Sequence, residues 1–465
     1  MKKMMHNQTE PKNTLRRICL LAAVVLMAPV WTLAGADEAE MRQRVAELER
    51  QLAVARAELR EAQVRAMEVE TALAEAPAAA PGKIEVGPFQ IGGAIRANYV
   101  LGDYPGRGGG PSRGGHGGNF ELDTFRINVN FSDGPYVGAL EYRWYNGYNF
   151  LHTGWIGYNF EDGSQVQVGV NRVPFGPGPF GNSASWFFDQ HYYVGLADDM
   201  DLGIKYTTTI ENVTLDFAYY IASEGSWRGT SRDSARYSYD VVRWNIAVNP
   251  DGTVDFGAPT NGFRESHQLN ARAIMSLEEL HVPSEIGASL QYGRLKGVET
   301  DSGDLFAGSV HMRNFFNGFT LGTQLTYYKY DISADNPWGT DELVPMGAYD
   351  FAWPVAARAW IPSVSLRYFH ETANIPWLDS VTPYVEYSTV MKRADGFNDS
   401  ALLILGAAWA RGGWFIYTDF AYSNGNYFVG DDGDDYSRVD GVGDFGVNGN
   451  DKWNKRLNIN FGYYF

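Results

Sequence analysis

The chain ends in Leu457-Asn458-Ile459-Asn460-Phe461-Gly462-Tyr463-Tyr464-Phe465. Side chains alternate between the two faces of an extended strand, so the odd-numbered residues fall on one face and the even-numbered residues on the other. The odd positions are all aliphatic or aromatic, whereas the even positions are Asn, Gly and one Tyr. A strand with one apolar and one polar face, ending in aromatic residues, suits a boundary between lipid and an aqueous lumen. The terminus therefore predicts a transmembrane β-barrel.

Residues 1–36 have the organisation of a cleaved signal peptide. Five basic residues precede an apolar stretch at 18–33, and Ala34-Gly35-Ala36 is a small-residue cleavage site. An N-terminal membrane anchor is the alternative interpretation. The single cysteine, Cys19, lies within this segment, so the exported chain is expected to contain no disulfide.

Residues 37–76 carry an apolar heptad pattern. Two series of apolar residues recur at every seventh position, one from Val45 to Leu73 and one from Met41 to Ala76. Two such series with charged residues beside them predict a periplasmic α-helical coiled coil, and a trimer is favoured over a dimer. A lone solvated helix is the alternative. Residues 77–83 would follow as a stiff Pro/Ala linker.

Residues 84–465 consist of short segments in which apolar and polar residues alternate. Sixteen such segments can be counted, the first at 86–100 and the last at 454–465, although fourteen or eighteen strands also fit. Aromatic residues make up 14% of the chain and charged residues only 20%, as expected for a barrel with aromatic girdles. We therefore predict an all-β fold, a transmembrane antiparallel β-barrel of about sixteen strands preceded by the coiled coil.

The connections between these segments differ in length. Tight-turn sequences such as Asp133-Gly134 and Gly412-Gly413 alternate with long polar segments, including 174–200, 224–263 and 332–356. Short turns on one side and long loops on the other are typical of outer-membrane barrels.

Alternation also assigns the side chains that face the lumen. A lipid-facing Arg or Lys would cost about 2–4 kcal/mol at the bilayer midplane, so the apolar face of each strand is assigned to lipid. The charged residues left inside, with Arg172 beside a long loop, are predicted to line the channel and set its ion preference. They are Arg96, Arg126, Glu141, Arg143, Arg172, Lys205, Asp216, Arg272, Arg367 and Glu386.

Basic residues outnumber acids in this set even when Asp419 is added, which predicts a weak anion preference. The alternative for each residue is a structural charge paired across strands, as for Glu141 with Arg143.

The segment 174–200 is rich in Gly, Pro and aromatic residues and contains no Lys or Arg. An exposed loop of this composition would be adhesive, so we expect it to fold into the lumen as a constriction. Packing at a trimer interface is the alternative. The residues predicted to form the constriction are Phe175, Phe180, Trp186, Phe187 and Asp189.

Two stretches resemble known outer-membrane proteins. Gly169-Val170-Asn171-Arg172-Val173-Pro174-Phe175-Gly176 resembles a segment of the phosphate-selective porin O/P-like family. The resemblance implies a trimer of sixteen-stranded barrels whose third loop folds inside, with Arg172 beside the constriction. The terminal residues Phe461, Tyr463 and Phe465 resemble the C-terminal signal that the barrel-assembly machinery reads in Gram-negative bacteria.

Several other classes of function find no support. The net charge of −17 argues against nucleic-acid binding, and the histidines show no metal-ligand spacing. No nucleophile elbow or catalytic triad is recognisable, so we expect neither a metal, a cofactor nor an enzyme. The acidic run at 431–435 suits divalent cations that bridge lipopolysaccharide, but it lacks the spacing of an EF-hand loop.

These observations predict an outer-membrane porin in which small hydrophilic solutes diffuse passively through a water-filled lumen. Its partners would be the lipid bilayer with its lipopolysaccharide, the barrel-assembly machinery and two further copies of the chain. The alternative is a structural protein whose coiled coil spaces the outer membrane from the cell wall.

Overall fold

The computed structural model describes residues 84–104, 113–115, 117–229, 233–244, 246–248, 254–256, 261–336, 338–372, 374–430, 445–449 and 451–465. The signal peptide, the coiled coil and the Pro/Ala linker predicted from the sequence lie outside these residues. Within the described part of the chain, no helix is long and apolar enough to cross a membrane.

Twenty-three strands, numbered in chain order, are found in the described residues, and sixteen of them form the wall of a barrel. The wall strands are β2 (Phe89–Gly102), β3 (Asn119–Asp133), β4 (Tyr136–Trp144), β5 (Asn149–Asn159), β6 (Gln165–Arg172), β7 (Met200–Ile210), β8 (Val213–Ser223), β12 (Gly262–Leu277), β13 (Ser284–Val298), β14 (Gly303–Phe316), β15 (Phe319–Asp331), β18 (Arg358–Tyr368), β20 (Ser380–Lys392), β21 (Ser400–Arg411), β22 (Trp414–Ser423) and β23 (Asn454–Tyr464). The remaining strands are β1 (Ile84–Val86), β9 (Asp240–Val241), β10 (Ile246–Val248), β11 (Val254–Phe256), β16 (Leu343–Ala348), β17 (Phe351–Ala356) and β19 (His370–Glu371).

The barrel is closed by its first and last wall strands. Each wall strand pairs antiparallel with the next in the chain, and β23 pairs antiparallel with β2, with Tyr464 opposite Ala94. Closure leaves no sheet edge with unpaired backbone groups, which a lipid environment requires. The barrel part of the predicted fold class, an antiparallel barrel of about sixteen strands, is confirmed, whereas the coiled coil stays a prediction.

The two ends of the barrel differ, as the turn sequences predicted. At the short-turn end, β7 joins β8 through Glu211 and Asn212, and β14 joins β15 through Asn317 and Gly318. Glu211 and Asn317 have φ of 54° and 50°, the left-handed conformation that tight hairpin turns use. The opposite, long-loop end carries the segments 173–199, 224–261, 332–357 and 424–453.

The outer surface of the wall is apolar. On β7 and β8 the outward positions expose 36–54% of each large apolar side chain, whereas Ala218 and Tyr220 of β8 point inward and are buried. These outward residues are Leu202, Ile204, Tyr206, Phe217, Tyr219 and Ile221. Apolar side chains at such exposure around the wall would be unfavourable in water, and they are the pattern of a lipid-facing surface.

Aromatic side chains gather near the short-turn end. Phe89 packs on Phe131 with ring centroids 5.3 Å apart, and Trp414 packs on Tyr463 at 5.1 Å. Phe319 and Tyr368 make a similar contact at 4.5 Å. Such a ring of aromatics is the girdle expected where a barrel meets a membrane–water interface.

The segments at the long-loop end are more ordered than their polar composition predicted. Strands β16 and β17 form a hairpin whose turn residues Tyr349 and Asp350 have φ of 49° and 69°, and β9 pairs with β16 to complete a three-stranded sheet. Strands β10 and β11 form a second hairpin. The expectation of a simple polar loop at 332–356 was wrong, because Leu343–Ala348 and Phe351–Ala356 are almost entirely apolar and become buried.

Four of these segments share one aromatic core. Tyr193 of 173–199 stacks on Phe445 at 5.3 Å, Tyr239 of 224–261 meets Trp353 at 4.6 Å, and Phe351 stacks on Tyr427 at 4.2 Å. Rings in contact at these distances stabilise one another beyond the area they bury. The long-loop end is therefore a packed cap on the barrel.

Candidate functional site

The inward face of the barrel is polar, as the terminal strand shows. Arg456, Asn458 and Asn460 on β23 are all 0% exposed. Asn458 and Asn460 both donate to Asn98 Oδ1, at 3.4 and 2.7 Å, across the seam that closes the barrel. The Arg456 guanidinium lies 3.7 Å from the centre of the Tyr104 ring and donates to the Phe428 carbonyl.

The segment 173–199, here called the inner loop, lies against inward-facing side chains from widely separated strands. The Gly176 N–H donates to Ser289 Oγ on β13 (3.1 Å), and the Gln190 N–H donates to Ser388 Oγ on β20 (3.0 Å). The Trp186 indole N–H reaches Asp123 on β3 at 3.4 Å. Because β13, β20 and β3 stand at different positions around the wall, the inner loop extends across the interior of the barrel.

The five residues predicted to form a constriction all belong to this loop. Phe175, Phe187 and Asp189 are buried, and Phe180 and Trp186 are half-buried. Phe180 stacks on Phe188 with centroids 5.1 Å apart. The Arg456 guanidinium lies between the wall and the loop, 5.1 Å from the Trp186 ring and 5.2 Å from the Phe187 ring.

Two wall carboxylates hold the middle of the inner loop. Glu386 accepts hydrogen bonds from Ser183 Oγ (2.5 Å) and the Ala184 N–H (2.6 Å) of the loop, and from Ser365 Oγ (3.0 Å) of the wall. Asp419 accepts from the Trp186 N–H at 2.9 Å. Hydrogen bonds to charged acceptors are the stronger kind, so these acids act as anchors for the loop.

A third carboxylate organises the loop from within. Asp189 accepts from the N–H groups of Asn182 and His191, each at 3.0 Å, and from the His191 ring. The other ring nitrogen of His191 lies 2.8 Å from Thr326 Oγ1 on β15. Burial by itself would raise the pKa of Asp189, but His191 and the two N–H donors outweigh it and lower the pKa.

All three predicted lumen-facing bases on β2 to β4 have acidic partners. Arg96 pairs with Asp123 at 2.5 Å. Arg126 and Arg143 stand opposite each other on β3 and β4 and share Glu141, at 3.3 and 2.5 Å. Glu141 thus pairs with Arg143 within β4 and with Arg126 across to β3, so that two bases share one acid.

Two bases farther around the wall, Arg172 and Arg272, also pair with acids, and each acid is more deeply buried than its base. Arg172 pairs with Asp198 at 2.8 Å, and its side chain is 30% exposed whereas that of Asp198 is 0%. Arg272 pairs with Asp216 at 2.8 Å, with 20% and 3% exposed, and it also donates to the Gly176 carbonyl. Solvent inside the barrel therefore meets the cation of each pair.

Two further predicted wall residues complete this set. Lys205 Nζ on β7 donates to the Arg172 carbonyl at 2.8 Å. Arg367 on β18 stands opposite Thr320 of β15 and Tyr384 of β20.

A separate group of acids lies at the long-loop end of β7, β8 and β12. One carboxylate oxygen from each of Asp199, Asp201 and Asp240 lies within 4.8 Å of the other two, and Glu224 and Glu265 are buried beside them. Burial, followed by the charges of Asp240, Glu265 and Glu224, raises the pKa of Asp199 well above its ordinary value.

Sequence reasoning missed this group and Asp123. Asp123 is the extra residue of a bulge in the β2–β3 ladder, where Arg96 lies opposite Thr124 and Ala97 opposite Leu122, so its inward position does not follow from a strict period of two. The acids of the cluster come from the inner loop, β7, the residue after β8, β9 and β12, and they have no common spacing. Their only sequence signal is the run Asp198-Asp199-Met200-Asp201.

Comparisons with known proteins agree with the fold. No protein-family model matches the chain, and no curated protein matches its sequence. Among solved structures, OmpF of Salmonella typhi in complex with daunomycin matches over 83% of this chain and 100% of its own, with a TM-score of 0.50 and 11% identity. OmpT of Vibrio cholerae matches over 83% and 100% (TM-score 0.48, 12% identity). An anion-selective porin from Comamonas acidovorans matches over 81% and 99% (TM-score 0.46, 10% identity).

At these identities the likeness concerns the fold alone. The chain shares the general fold of porins, and the narrower resemblance to the phosphate-selective O/P-like family finds no match among family models.

Proposed function

We propose that this protein is an outer-membrane porin through which small hydrophilic solutes diffuse passively. The observation that carries the proposal is the closed sixteen-stranded wall, apolar on its outside and lined with ionised groups on its inside. A barrel of this strand number is wide enough to hold an aqueous passage, whereas an eight-stranded barrel is filled by its own side chains. No enzyme activity is needed to account for the inward-facing residues.

The inner loop would act as the constriction. Its hydrogen bonds to Ser289, Glu386, Ser388 and Asp419 fix it across the interior, so the passage must run between the loop and the strands it leaves uncovered. The bases on β3, β6, β7 and β12 retain solvent contact and would line that passage.

We further propose a weak preference for anions. In the pairs Arg172–Asp198 and Arg272–Asp216 the exposed member is the base, and Glu141 is shared by two arginines. A passing ion would therefore meet more positive than negative charge along this side of the wall. Phosphate is the natural anion to compare with chloride, because Gly169–Gly176 resembles the phosphate-selective segment. The inner loop argues against strong phosphate selectivity, since it carries Asp189 and Asp198 and no Lys or Arg.

Solute flux tests the proposal directly. Proteoliposomes containing the folded protein should swell in solutions of small neutral sugars, at rates that fall as the solute grows. A salt gradient across the same membranes should give a reversal potential on the anion side. Swelling no faster than that of protein-free liposomes would overturn the channel, and a cation-side potential would overturn only the preference.

The export and assembly features complete the proposal. We propose that residues 1–36 direct export and are removed, that residues 37–76 form a coiled coil joined by 77–83, and that three copies assemble. Phe461, Tyr463 and Phe465 would be read by the barrel-assembly machinery, and the acidic run at 431–435 would meet lipopolysaccharide through divalent cations.

A structural role is the second candidate, favoured by the length of the heptad pattern at 37–76. In that case the coiled coil would span the periplasm and attach the outer membrane to the cell wall. Deleting 37–76 separates the two functions: loss of envelope attachment with unchanged solute flux would favour the structural role.

A further inference from the structure

Five carboxylates meet in one buried cluster at the long-loop end of the barrel. Asp199 ends the inner loop, Asp201 is the second residue of β7, Glu224 follows β8, Asp240 lies on β9 and Glu265 lies near the start of β12. Their exposures are 5%, 1%, 1%, 1% and 9%. Placing several negative charges in a region that excludes water is unfavourable unless a cation compensates them.

The protein itself supplies only part of that compensation. Arg236 pairs with Asp240 at 2.7 Å and is the one base in ion-pair contact with the cluster among the described residues. Gln268 Nε2 donates to Asp201 at 2.9 Å, and the Ser238 N–H donates to Glu224 at 2.8 Å.

Each of the five acids keeps one buried oxygen without a hydrogen-bond partner in the described residues. These atoms are Asp199 Oδ1, Asp201 Oδ1, Glu224 Oε2, Asp240 Oδ1 and Glu265 Oε2. A buried acceptor with no donor is costly, and five in one cluster require a common explanation.

We infer that this cluster binds a divalent cation, and that the cation is Ca²⁺. The oxygens of Asp199, Asp201 and Asp240 lie within 4.8 Å of one another, so a single ion can reach all three. Oxygen atoms on opposite sides of one Ca²⁺ are about 4.6–5.2 Å apart, because Ca–O distances are about 2.3–2.6 Å. The ligand set contains oxygen alone, which suits hard cations and not Zn²⁺ or Cu²⁺.

Calcium is favoured over magnesium by the same features. Mg²⁺ binds oxygen at about 2.0–2.1 Å, demands a regular octahedron and keeps several of its waters. A buried cluster of several carboxylates offers many anionic oxygens in irregular positions, which Ca²⁺ accepts with six to eight ligands. The sequence does not predict this metal site, because most of its residues come from separate segments and they have no ligand spacing.

The ion would link the junction of the inner loop and β7 to the segment 224–261. Asp199 belongs to the inner loop, Asp240 to the segment 224–261 and Asp201 to the wall. Asp199 and Asp201 are two residues apart in the chain, so bound Ca²⁺ would fix this junction to the cap through Asp240. This inference goes beyond the proposed function, and its test does not depend on conductance.

The test measures calcium binding to the full chain, refolded in detergent without lipopolysaccharide and stripped with EDTA. Equilibrium dialysis with CaCl₂ should show one site that is absent from the double variant D199N/D201N, which leaves the Arg236–Asp240 pair intact. The matched control is D304N/D331N, which removes two exposed acids that face each other on β14 and β15. The control should bind as the wild type does.

Thermal unfolding provides a second measurement that distinguishes a ligand site from a structural cluster. Calcium should raise the unfolding temperature of the wild type and of the control, and leave D199N/D201N unchanged. In EDTA the double variant should be at least as stable as the wild type, because it carries two fewer buried charges. The inference is overturned if the wild type binds no calcium, if D199N/D201N binds it equally, or if Mg²⁺ binds as tightly as Ca²⁺.

Discussion

Replacing Glu386 by Ala is expected to release the inner loop from the wall. The carboxylate accepts two hydrogen bonds from the loop, from Ser183 Oγ and the Ala184 N–H. The Ala side chain accepts neither, so both donors lose their acceptor in a buried position. The Asp419 contact to the Trp186 N–H would remain as the nearest anchor.

The size of the effect follows from the two lost bonds. Each hydrogen bond to a charged group contributes about 1.5–3 kcal/mol, so the pair contributes at least about 3 kcal/mol. Ser183 can still bond Ser185, whose Oγ lies 2.9 Å away, so we take the lower value. A loss of about 3 kcal/mol corresponds to roughly a 100-fold rise in the population of the released loop, at about 1.4 kcal/mol per factor of ten.

Two assays measure that population. Hydrogen exchange at the Ala184 amide should become roughly 100-fold faster in E386A, provided that exchange proceeds through loop release. Single-channel traces should show more frequent excursions in conductance. The matched control is S365A, which removes a bond to the same carboxylate from the wall strand β18 and leaves both loop donors bound. The anchoring role of Glu386 is refuted if the Ala184 amide exchanges as slowly in E386A as in S365A and the two variants show equally steady single-channel conductance.

Three further variants test the charges of the wall and the terminal seam. R172Q should shift the reversal potential toward cations. One charge about 10 Å from an ion changes the local concentration of anions and of cations by about twofold each, so the permeability ratio should change by up to about fourfold. The control R294Q removes a charge that faces outward and should leave the potential unchanged. E141Q should shift the reversal potential toward anions, because Arg126 and Arg143 lose their shared acid. An unchanged potential in both R172Q and E141Q would contradict the proposed anion passage. Deleting Phe465 removes two backbone hydrogen bonds with Gly93, at 2.8 and 3.0 Å. The deletion should lower the yield of heat-modifiable barrel in the outer membrane. A normal yield would contradict the assembly role of the terminal residues.

The strand count was predictable because lipid imposes a simple rule on the wall. Every wall strand needs an apolar face, so the period of two survives in the sequence from 86 to 465. The seam is an example: Asn458 and Asn460 alternate with apolar residues, and both are buried inside the barrel. Closure then follows because no edge strand is tolerated in lipid.

The interior was less predictable because it depends on contacts between distant segments. Glu386 was predicted as a wall charge, yet only the fold shows that it binds Ser183 and Ala184. The buried cluster of Asp199, Asp201 and Asp240 is a second case, since a hydrophobic pattern carries no information about which loops meet. The apolar hairpin at Leu343–Ala348 and Phe351–Ala356 was visible in the sequence and was misjudged as a loop.

Planar-bilayer recording of the folded full-length protein tests the central claim most directly. Stepwise increases in conductance are expected as channels insert, with steps that persist in solutions of different salts. The absence of steps, in bilayers where a known porin inserts under the same conditions, would contradict a water-filled passage through this barrel.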